Sequence, residues 1–210
     1  MKMLIVAATT LEIAPLMKHF DLPGNNFTGN KEFDILITGV GMTATAYALG
    51  RHLSKKYYLV VNLGIAGCFD RSIALGTVLN VYEDTFAELG AEDNGNFLSI
   101  DELGLGKSTY SAHNNLLSES VAKLEKVKGI TLNRVHGYEP SISAITKRLS
   151  PVSESMEGAA VLYCCAQQDI PCLQIRSISN YVEPRNRNSW KIALALENLN
   201  LWAIEFLTNT

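Results

Sequence analysis

The sequence has little net charge and no long apolar run, and each absence excludes a class of protein. Only 19% of its 210 residues are charged, and 18 Lys and Arg stand against 21 Asp and Glu. The resulting net charge of −3 gives no basic surface of the kind that binds nucleic acid or an anionic membrane. No apolar run approaches the roughly 18 residues that a membrane-spanning helix needs. We therefore expect neither nucleic acid nor a membrane among its partners.

Cysteine and histidine are scarce and do not have the spacing of a disulfide framework or a metal site. The four cysteines are Cys68, Cys164, Cys165 and Cys172, without any CxxC pair. The four His are scattered, so we interpret them as surface or edge residues and expect neither a metal nor a cofactor. The short apolar run at 1–8 is not a targeting segment. Together these features predict a cytoplasmic protein with reduced cysteines.

What the sequence does contain is an alternation of strand-like and helix-like segments. A continuous apolar run at 3–8 predicts a strand that is buried on both faces, and the mainly apolar segments at 33–38 and 58–63 predict two further strands. Between them, helices are predicted from about 11 to 20 and from 42 to 55. This order predicts an α/β fold with a largely parallel central sheet. Further along we predict strands over 77–88, 130–135 and 172–179, helices over 113–126, 156–168 and 189–207, and a glycine-rich excursion over 89–109.

Two glycine-containing segments follow predicted strands. Residues 39–44 (GVGMTA) fit a dinucleotide-binding pattern, in which backbone amides at a helix N-terminus approach an anion. That pattern also requires an acid at the end of the next strand, and residues 60–64 (VVNLG) supply none. Residues 64–67 (GIAG) follow another strand, at an edge where α/β sheets bind ligands. A simple turn that needs positive φ is the alternative for this segment.

Two carboxylates stand beside predicted helix starts. Glu12 follows the first strand, and Glu157 lies at the start of the helix at 156–168. A lone Glu in the first turn of a helix commonly stabilises the helix dipole at the surface. Two carboxylates at the mouth of one sheet can instead cleave a glycosidic bond, because one activates water and the other holds sugar hydroxyls. Both interpretations stay open at this point.

Polar residues interrupt the last predicted strand and continue beyond it. Arg176 lies in an otherwise apolar segment, and a buried Arg needs a partner, for which Glu157 is a candidate. Asn180 ends the strand with an amide that both donates and accepts hydrogen bonds. The run at 182–190 (VEPRNRNSW) is compatible with a capped helix start. It contains more charges and amides than a cap requires.

Five motifs occur in the order found in the nucleoside phosphorylase and nucleosidase superfamily. They are Glu12 and residues 39–41 (GVG), 64–67 (GIAG), 155–160 (SMEGAA) and 175–180 (IRSISN). The set covers nearly the whole chain, which therefore resembles this superfamily. The resemblance implies a single-domain, three-layer α/β fold over 1–210, with a central mixed, largely parallel sheet flanked by helices. It also implies that a purine nucleoside binds at the sheet edge and that its N-glycosidic bond is cleaved.

The resemblance also implies roles for individual residues. Glu12 corresponds to the base that activates water in the hydrolytic branch of the superfamily. Glu157 is expected to accept the ribose hydroxyls, with Met156 beside it under the ribose and Arg176 orienting the carboxylate. Contacts to the base or its surroundings are expected from Ile65, Ala66 and Gly67, and residues 135–137 (VHG), which begin with Val135, fall at a compatible distance before Met156 to form another base-lining segment.

Asn180 departs from the pattern of one branch of the superfamily. Methylthioadenosine and adenosylhomocysteine nucleosidases have Asp at this position, and that acid protonates adenine N7 as the base leaves. An Asn cannot act as an acid, but its amide can donate to a purine O6 while its oxygen accepts from N7–H. This pairing suits a 6-oxopurine such as hypoxanthine and disfavours a 6-amino group, which would leave polar groups unpaired.

The run at 182–190 is similar to the segment that follows this Asn in futalosine hydrolases. Those enzymes release hypoxanthine from futalosine in an alternative menaquinone pathway, and futalosine carries a benzoate on its 5′ extension. Arg185 or Arg187 is a candidate for binding that carboxylate in bidentate geometry. On this resemblance we expect hydrolysis of the N-ribosidic bond of futalosine, with Glu12, Glu157 and Asn180 as the catalytic residues. Relatives commonly form dimers or larger assemblies, so a homo-oligomer is expected.

Other functions stay open at this stage. The nearest are a methylthioadenosine/adenosylhomocysteine nucleosidase and a purine nucleoside phosphorylase that uses phosphate in place of water. Outside this chemistry, the chain could be a dinucleotide-binding oxidoreductase, against which the missing acid argues, or a non-catalytic nucleoside sensor. A sensor does not need a water-activating base, so the presence of Glu12 with Glu157 and Asn180 disfavours it.

Overall fold

The computed structural model describes residues 1–112 and 119–209. Within these ranges the chain forms eleven strands and six α-helices. The strands are β1 Lys2–Ala7, β2 Phe27–Gly29, β3 Phe33–Ile37, β4 Tyr57–Cys68, β5 Val78–Phe86, β6 Gly90–Asp93, β7 Asn96–Ser99, β8 Thr109–Ser111, β9 Lys126–Thr131, β10 Ser153–Ser155 and β11 Cys172–Tyr181. The helices are α1 Thr10–His19, α2 Met42–His52, α3 Glu119–Ala122, α4 Glu139–Leu149, α5 Gly158–Gln167 and α6 Ile192–Thr208. None of the described helices is both long enough and apolar enough to cross a membrane.

One mixed sheet organises the molecule. Its strand order is β10-β9-β5-β11-β4-β1-β3-β2, with β8 paired to β5. The strands β3, β1, β4 and β11 are parallel neighbours, whereas β5 is antiparallel to β11 and parallel to β9. Strand β10 pairs with both β9 and β4, so five strands close on themselves at one end of the sheet. The predicted α/β fold with a mixed, largely parallel sheet is confirmed.

Helices cover both faces of the sheet, which gives the three layers that were predicted. On one face, α1 and α6 pack on β1, β3, β4 and β11 through side chains such as Ile13, Leu16, Leu199 and Phe206. On the other face, α2 and α5 pack through Leu49, Val161, Leu162 and Cys165. The strands between them are almost continuously buried, because a sheet covered on both sides has no solvated face.

Strand β4 is longer than the apolar pattern predicts. The sequence predicts a strand over 58–63, but β4 continues to Cys68, and β11 pairs with it as far as the pair Tyr181–Cys68. Residues 64–67 are therefore strand, and neither Gly64 nor Gly67 has a positive φ. The alternative of a turn at this segment is wrong.

Several other boundaries differ from the sequence prediction. Of the helix predicted over 113–126, residues 113–118 lie outside the described residues, and only α3 forms in the rest. The strand predicted over 130–135 is instead β9, Lys126–Thr131. The apolar pattern does not reveal its start, because Lys126 and Lys128 are exposed and alternate with buried residues. The excursion over 89–109 contains the β6–β7 hairpin and the start of β8.

Two helices start later than predicted, and some elements have no prediction. Helix α5 begins at Gly158, because Glu157 is its non-helical N-cap residue with φ −130°. Helix α6 begins at Ile192, after a short 3-10 helix over Arg187–Ser189. The sequence analysis does not predict β2, β10 or α4, of which two are three-residue strands.

A buried carboxylate ties the edge of the sheet together. Asp34 in β3 has a side chain that is 8% exposed. It accepts hydrogen bonds from Lys2 Nζ at 2.9 Å, Lys56 Nζ at 3.1 Å and the Tyr57 hydroxyl at 2.7 Å. Burial raises the pKa of Asp34, but the hydrogen bonds from Lys2, Tyr57 and Lys56 outweigh it, so the pKa lies below its usual range.

We expect the Asp34→Asn variant to lose about 2 kcal/mol of unfolding free energy at pH 7, since it removes charge-assisted hydrogen bonds at a buried site. A carboxylate whose pKa is lowered by folding stabilises above its unfolded pKa of about 3.9 and loses this effect as the pH falls through the folded pKa. The difference between the two proteins should therefore shrink below about pH 4. Urea denaturation at a series of pH values measures it.

The Asp169→Asn variant is the control for Asp34→Asn. The Asp169 side chain is 94% exposed and lies 3.8 Å from Lys55 Nζ, and Asn tolerates its positive φ of 48°. We expect no measurable change in stability at either pH. An equal loss in both variants would contradict the role given to Asp34.

Candidate active site

A cavity of about 330 Å³ opens at the end of β4 and β11. Its walls come from the loop after β1, from β4, from the segment joining β10 to α5, and from the chain after β11. Lining residues with polar or charged side chains are Thr9, Glu12, His136, Glu154, Ser155, Glu157, Ser179, Asn180, Tyr181, Glu183 and Arg185. Of the residues predicted for the site, Glu12, Ile65, Ala66, Gly67, Val135, Met156, Glu157, Asn180 and Arg185 line this cavity.

Glu12 both caps helix α1 and faces the cavity. Thr9 is the N-cap residue, and its backbone N–H and hydroxyl donate to Glu12 Oε2 at 2.9 and 3.1 Å. The other oxygen, Oε1, accepts from Ile65 N–H of β4 at 3.2 Å. The simple interpretation of Glu12 as a helix-start residue is therefore correct, and the same bonds fix its carboxylate at the cavity wall.

Glu157 reaches the glycine pair that resembles a dinucleotide-binding loop. The Gly41 N–H donates to Glu157 Oε1 at 2.8 Å, and Gly39 and Gly41 have φ of 86° and 94°, which favours glycine. The anion bound at the N-terminus of α2 is therefore a side chain of the protein itself. Burial raises the pKa of Glu157, and the charge of Arg176 and the Gly41 N–H partly oppose that rise.

Arg176 lies beneath the cavity and does not line it. It is 2% exposed, and its Nη1 donates to Asn62 Oδ1 at 3.4 Å and to the Ile175 carbonyl at 3.5 Å. Its Nε has no hydrogen-bond partner. Among the described residues it forms no ion pair with Glu157, the partner that the sequence indicated, so it acts on that carboxylate through its charge.

A buried polar network continues from Arg176 to the start of α5. Asn62 Nδ2 donates to Gln174 Oε1 at 2.9 Å, and Gln174 Nε2 donates to Asp84 Oδ2 at 2.6 Å. Asp84 is 1% exposed, and burial raises its pKa to about 6 despite bonds from Gln174 and Thr131 and the charge of Arg176. The network therefore contains a second buried carboxylate near the guanidinium.

Thr131 joins this network to the residues that follow Glu157. Its hydroxyl donates to Asp84 Oδ1 at 2.8 Å and accepts the Ala159 N–H at 2.8 Å. Any side chain at Gly158 would overlap the Asp84 carboxylate. Glycine at this position lets the helix start settle directly on Asp84, which sets the position of Glu157 one residue earlier.

The glycines of β4 leave room for the polar groups around them. A Cβ at Gly64 would lie 2.7 Å from Arg176 Nη1 and 2.9 Å from Glu12 Oε1. A Cβ at Gly67 would lie 3.3 Å from Asn180 Nδ2 and 3.4 Å from Glu154 Cγ. Glycine is required at 64 by these close approaches, whereas a side chain at 67 would be tight against its neighbours, and both positions lie within a regular strand.

Asn180 presents its amide at the end of β11. Ser179 Oγ donates to Asn180 Oδ1 at 2.8 Å, and Asn180 Nδ2 donates to the Tyr181 carbonyl at 3.0 Å. One amide hydrogen and one lone pair of the carbonyl oxygen are left for a ligand. The amide can therefore both donate to and accept from a group in the cavity.

The two arginines after β11 differ in position. Arg185 lines the cavity, and its Cζ lies 5.1 Å from the centre of the Trp190 ring. Arg187 does not line it, although its Cζ lies 5.9 Å from the same ring. Glu183 also lines the cavity and forms an ion pair with Arg71. Of the two predicted candidates for binding a substrate carboxylate, Arg185 is the one that faces the cavity.

The sequence analysis missed a His–Glu pair in the cavity wall. His136 Nδ1 lies 2.6 Å from Glu154 Oε2, and their side chains are 14% and 3% exposed. His136 is therefore not the surface residue that its isolated position indicated. The base-lining segment predicted at 135–137 includes His136, but nothing in the sequence indicates its pairing with Glu154. Trp190, Tyr181 and Ser179 also line the cavity without having been predicted.

The cavity brings together what cleavage of a sugar–base bond requires. Its carboxylates include Glu12 and Glu157, the second of which feels the charge of the buried Arg176, and the amide of Asn180 can bind a heterocycle edge. Its volume is that of a small-molecule site. No group of three or more His, Cys, Asp or Glu that could hold a metal is present in residues 1–112 and 119–209.

Comparison with known proteins gives a family and several relatives. The model of the phosphorylase superfamily matches residues 2–207. The futalosine hydrolase of Streptomyces coelicolor is 29% identical over 216 residues, which cover 95% of this chain and 92% of that protein. The futalosine hydrolase of Acidothermus cellulolyticus is 30% identical over 175 residues, covering 79% of this chain and 71% of that protein.

Nucleosidases and solved structures also match. A 5′-methylthioadenosine/S-adenosylhomocysteine nucleosidase of Marinomonas sp. is 26% identical over 190 residues, covering 84% of this chain and 81% of that protein. The native structure of futalosine hydrolase from Helicobacter pylori superposes with a TM-score of 0.84 at 18% identity, covering 100% of this chain and 98% of that one. At this identity the superposition supports the fold.

We expect the Gly158→Ala variant to lose about 2 kcal/mol or more of unfolding free energy, because the new Cβ overlaps Asp84 and forces the start of α5 outward. Chemical denaturation followed by circular dichroism measures the loss.

The matched control is Gly50→Ala, in the exposed part of α2. A Cβ there meets nothing within 4 Å, so alanine should stabilise the protein by about 0.5–1 kcal/mol through helix propensity. If both alanine variants were as stable as the parent or more so, the close contact between Gly158 and Asp84 would be wrong.

Proposed function

The chain belongs to the phosphorylase superfamily, and from that premise, together with its relatedness to futalosine hydrolases, we propose that it is a futalosine hydrolase. It is an N-glycosyl hydrolase that splits the N-ribosidic bond of futalosine and releases hypoxanthine and dehypoxanthine futalosine, a step of menaquinone biosynthesis. The observation that carries the proposal is the amide of Asn180, in place of an acid, in a cavity that also holds Glu12 and Glu157.

Glu12 is the proposed general base. Three donors hold its carboxylate, from Thr9 and from Ile65 N–H, and a carboxylate retains further acceptor positions for a water molecule. Glu12 takes one proton of this water while the oxygen attacks C1′ of the ribose. The capping bonds keep the base from moving away as the sugar becomes cationic.

Glu157 is the proposed partner of the ribose hydroxyls. As the bond to the purine breaks, positive charge develops on the sugar, and an ionised carboxylate beside the hydroxyls stabilises it. Burial raises the pKa of Glu157, and the charge of Arg176 opposes this rise, so the guanidinium favours the ionised form that the reaction needs. Arg176 is therefore a positioning residue that does not touch the substrate.

Asn180 is the proposed contact to the purine. Its remaining amide hydrogen can donate to O6 of hypoxanthine, and its oxygen can accept from a protonated N7. Gly67 and Glu154 lie next to the Asn180 amide, and we term the cavity wall formed by Gly67, Glu154 and Asn180 the base end. A 6-amino purine would place a donor against the donating amide and leave both groups unpaired, so the site should select against it.

A methylthioadenosine nucleosidase is the second candidate, because such nucleosidases are among the relatives. Asn180 disfavours it, since an amide cannot protonate adenine. A phosphorylase would need a phosphate site in the cavity, and Arg185 is the cavity-lining residue with a full positive charge.

We also infer a homo-oligomer, supported by Leu11 and Val40, which are exposed at the cavity rim. A cytoplasmic location is supported by four free cysteines.

We expect the protein to release hypoxanthine from futalosine in phosphate-free buffer and to release no adenine from methylthioadenosine. The released base is identified by chromatography after parallel incubations with futalosine, inosine and methylthioadenosine, with and without phosphate. Release of adenine, or a requirement for phosphate, would instead identify the nucleosidase or the phosphorylase.

The Glu12→Gln variant tests the proposed general base in the same assay. Glutamine also completes a capping box at this position, so the fold and the binding of futalosine should survive. Loss of the general base should lower kcat by about 10²-fold or more. A variant with near-parental turnover would exclude Glu12 as the base.

Arg185 and Arg187 provide a matched pair for the substrate carboxylate. We expect the Arg185→Gln variant to raise KM for futalosine about tenfold or more with little change in kcat, because a charge-assisted bond to the benzoate is lost. The Arg187→Gln variant, whose side chain does not line the cavity, should keep its KM. Steady-state kinetics on both variants measure this. Unchanged KM in both would show that neither arginine binds the carboxylate.

A further inference from the structure

The base end of the cavity contains a buried His–Glu pair that the proposed mechanism does not use. Glu154 belongs to β10 and lies opposite Gly67 of β4 in the antiparallel pair. Both of its carboxylate oxygens are bound by one residue. The backbone N–H of His136 donates to Glu154 Oε1 at 3.1 Å, and the ring Nδ1 of His136 lies 2.6 Å from Glu154 Oε2. The Glu154 side chain is 3% exposed, and its carboxylate is thus bound by both the backbone N–H and the ring of His136.

This pairing fixes the orientation of the imidazole ring. An ionised carboxylate oxygen can only accept, so Nδ1 carries a proton and donates it to Glu154. The Phe69 ring packs edge-on at 6.2 Å between ring centres. Within the part of the chain that the structure describes, Nε2 has no hydrogen-bond partner. The ring also lines the cavity, which leaves Nε2 available to a bound ligand.

The His–Glu pair adjoins Asn180, the proposed contact to the purine. A Cβ at Gly67 would meet Asn180 Nδ2 at 3.3 Å and Glu154 Cγ at 3.4 Å, so both side chains converge on the same point of β4. The pair therefore stands where the departing base would be.

The reaction requires a proton at this place. When the C1′–N9 bond breaks, its electron pair stays with the purine, which needs one proton to leave as neutral hypoxanthine. Asn180 can donate a hydrogen bond but cannot give up a proton, and Glu12 is occupied with the proton of water. A histidine can carry protons on both ring nitrogens, and the contact of Nδ1 with Glu154 directs Nε2 and its proton at the cavity.

We propose that His136 is the proton donor to the leaving base and that Glu154 is its positioning residue. The step begins with His136 protonated on both ring nitrogens: the C1′–N9 pair moves to the purine, the proton on Nε2 moves to a purine ring nitrogen, and water oxygen bonds to C1′ as Glu12 takes the water proton. Solvent later carries that proton from Glu12 back to His136, which restores both groups. This role rests on the proposed function.

Two substitutions separate the parts of the His136 side chain. The His136→Asn variant keeps an amide near the Nδ1 position for Glu154 and removes the Nε2 position. The His136→Gln variant places an amide near Nε2, where it can donate a hydrogen bond but no proton. For both we expect kcat on futalosine to fall by about 10²-fold or more, with KM and the inhibition constant of hypoxanthine within about threefold of the parent.

The Glu154→Gln variant and a distant histidine complete the experiment. Glutamine at 154 can still accept from His136 but no longer stabilises its charge, so kcat should fall while hypoxanthine still binds. His19, exposed on α1, is the control, and His19→Gln should keep the parental kcat. The parental protein, assayed alongside, must release hypoxanthine from futalosine.

The outcomes are distinguishable. If the parental protein does not cleave futalosine, the proposed function fails. If it does and the His136→Gln variant retains its kcat, His136 supplies only a hydrogen bond and its role as proton donor is overturned. If the His136 variants lose hypoxanthine binding in proportion to kcat, the pair serves binding, and the proton-donor role is likewise overturned.

Discussion

One buried guanidinium sets the electrostatics of the cavity. Arg176 is 2% exposed in a central strand, and such a burial is costly unless opposite charge is near. Asp84 lies beneath it and Glu157 on the side of the cavity, and the charge of Arg176 opposes the rise that burial causes in the pKa of each carboxyl. The guanidinium thus opposes the neutral form that burial favours in both carboxyls.

The close approach of these groups depends on glycine and amide residues around them. Gly64 leaves space for the Arg176 guanidinium and the Glu12 carboxylate, and Gly158 leaves space for Asp84. Asn62 and Gln174 connect Arg176 to Asp84 through hydrogen bonds. Since the side chains of Arg176, Asn62, Gln174 and Asp84 are all buried, a change in one leaves a polar group without its partner. The architecture and the catalytic geometry are therefore held by the same contacts.

The sequence predicted the parts that depend on local pattern. The buried strands and the covering helices follow from apolar runs and turn signals, and nine of the eleven residues predicted from the ordered motifs line the cavity. The closure of β10 on β4 and the His136–Glu154 pair were not predicted, because both depend on residues distant in the chain that meet only in the fold. Arg187 is the first residue of a short 3-10 helix, and this local structure, which composition does not reveal, sets its position outside the cavity.

The proposed hydrolytic site consists of a water-activating carboxylate, a carboxylate for the ribose and an amide for the base. Futalosine turnover in water enriched in ¹⁸O, followed by mass spectrometry of both products, tests this most directly. One ¹⁸O atom should appear on the sugar product and none on hypoxanthine, with the two products formed in equal amounts. A sugar phosphate, an unlabelled sugar or no release of hypoxanthine would contradict it.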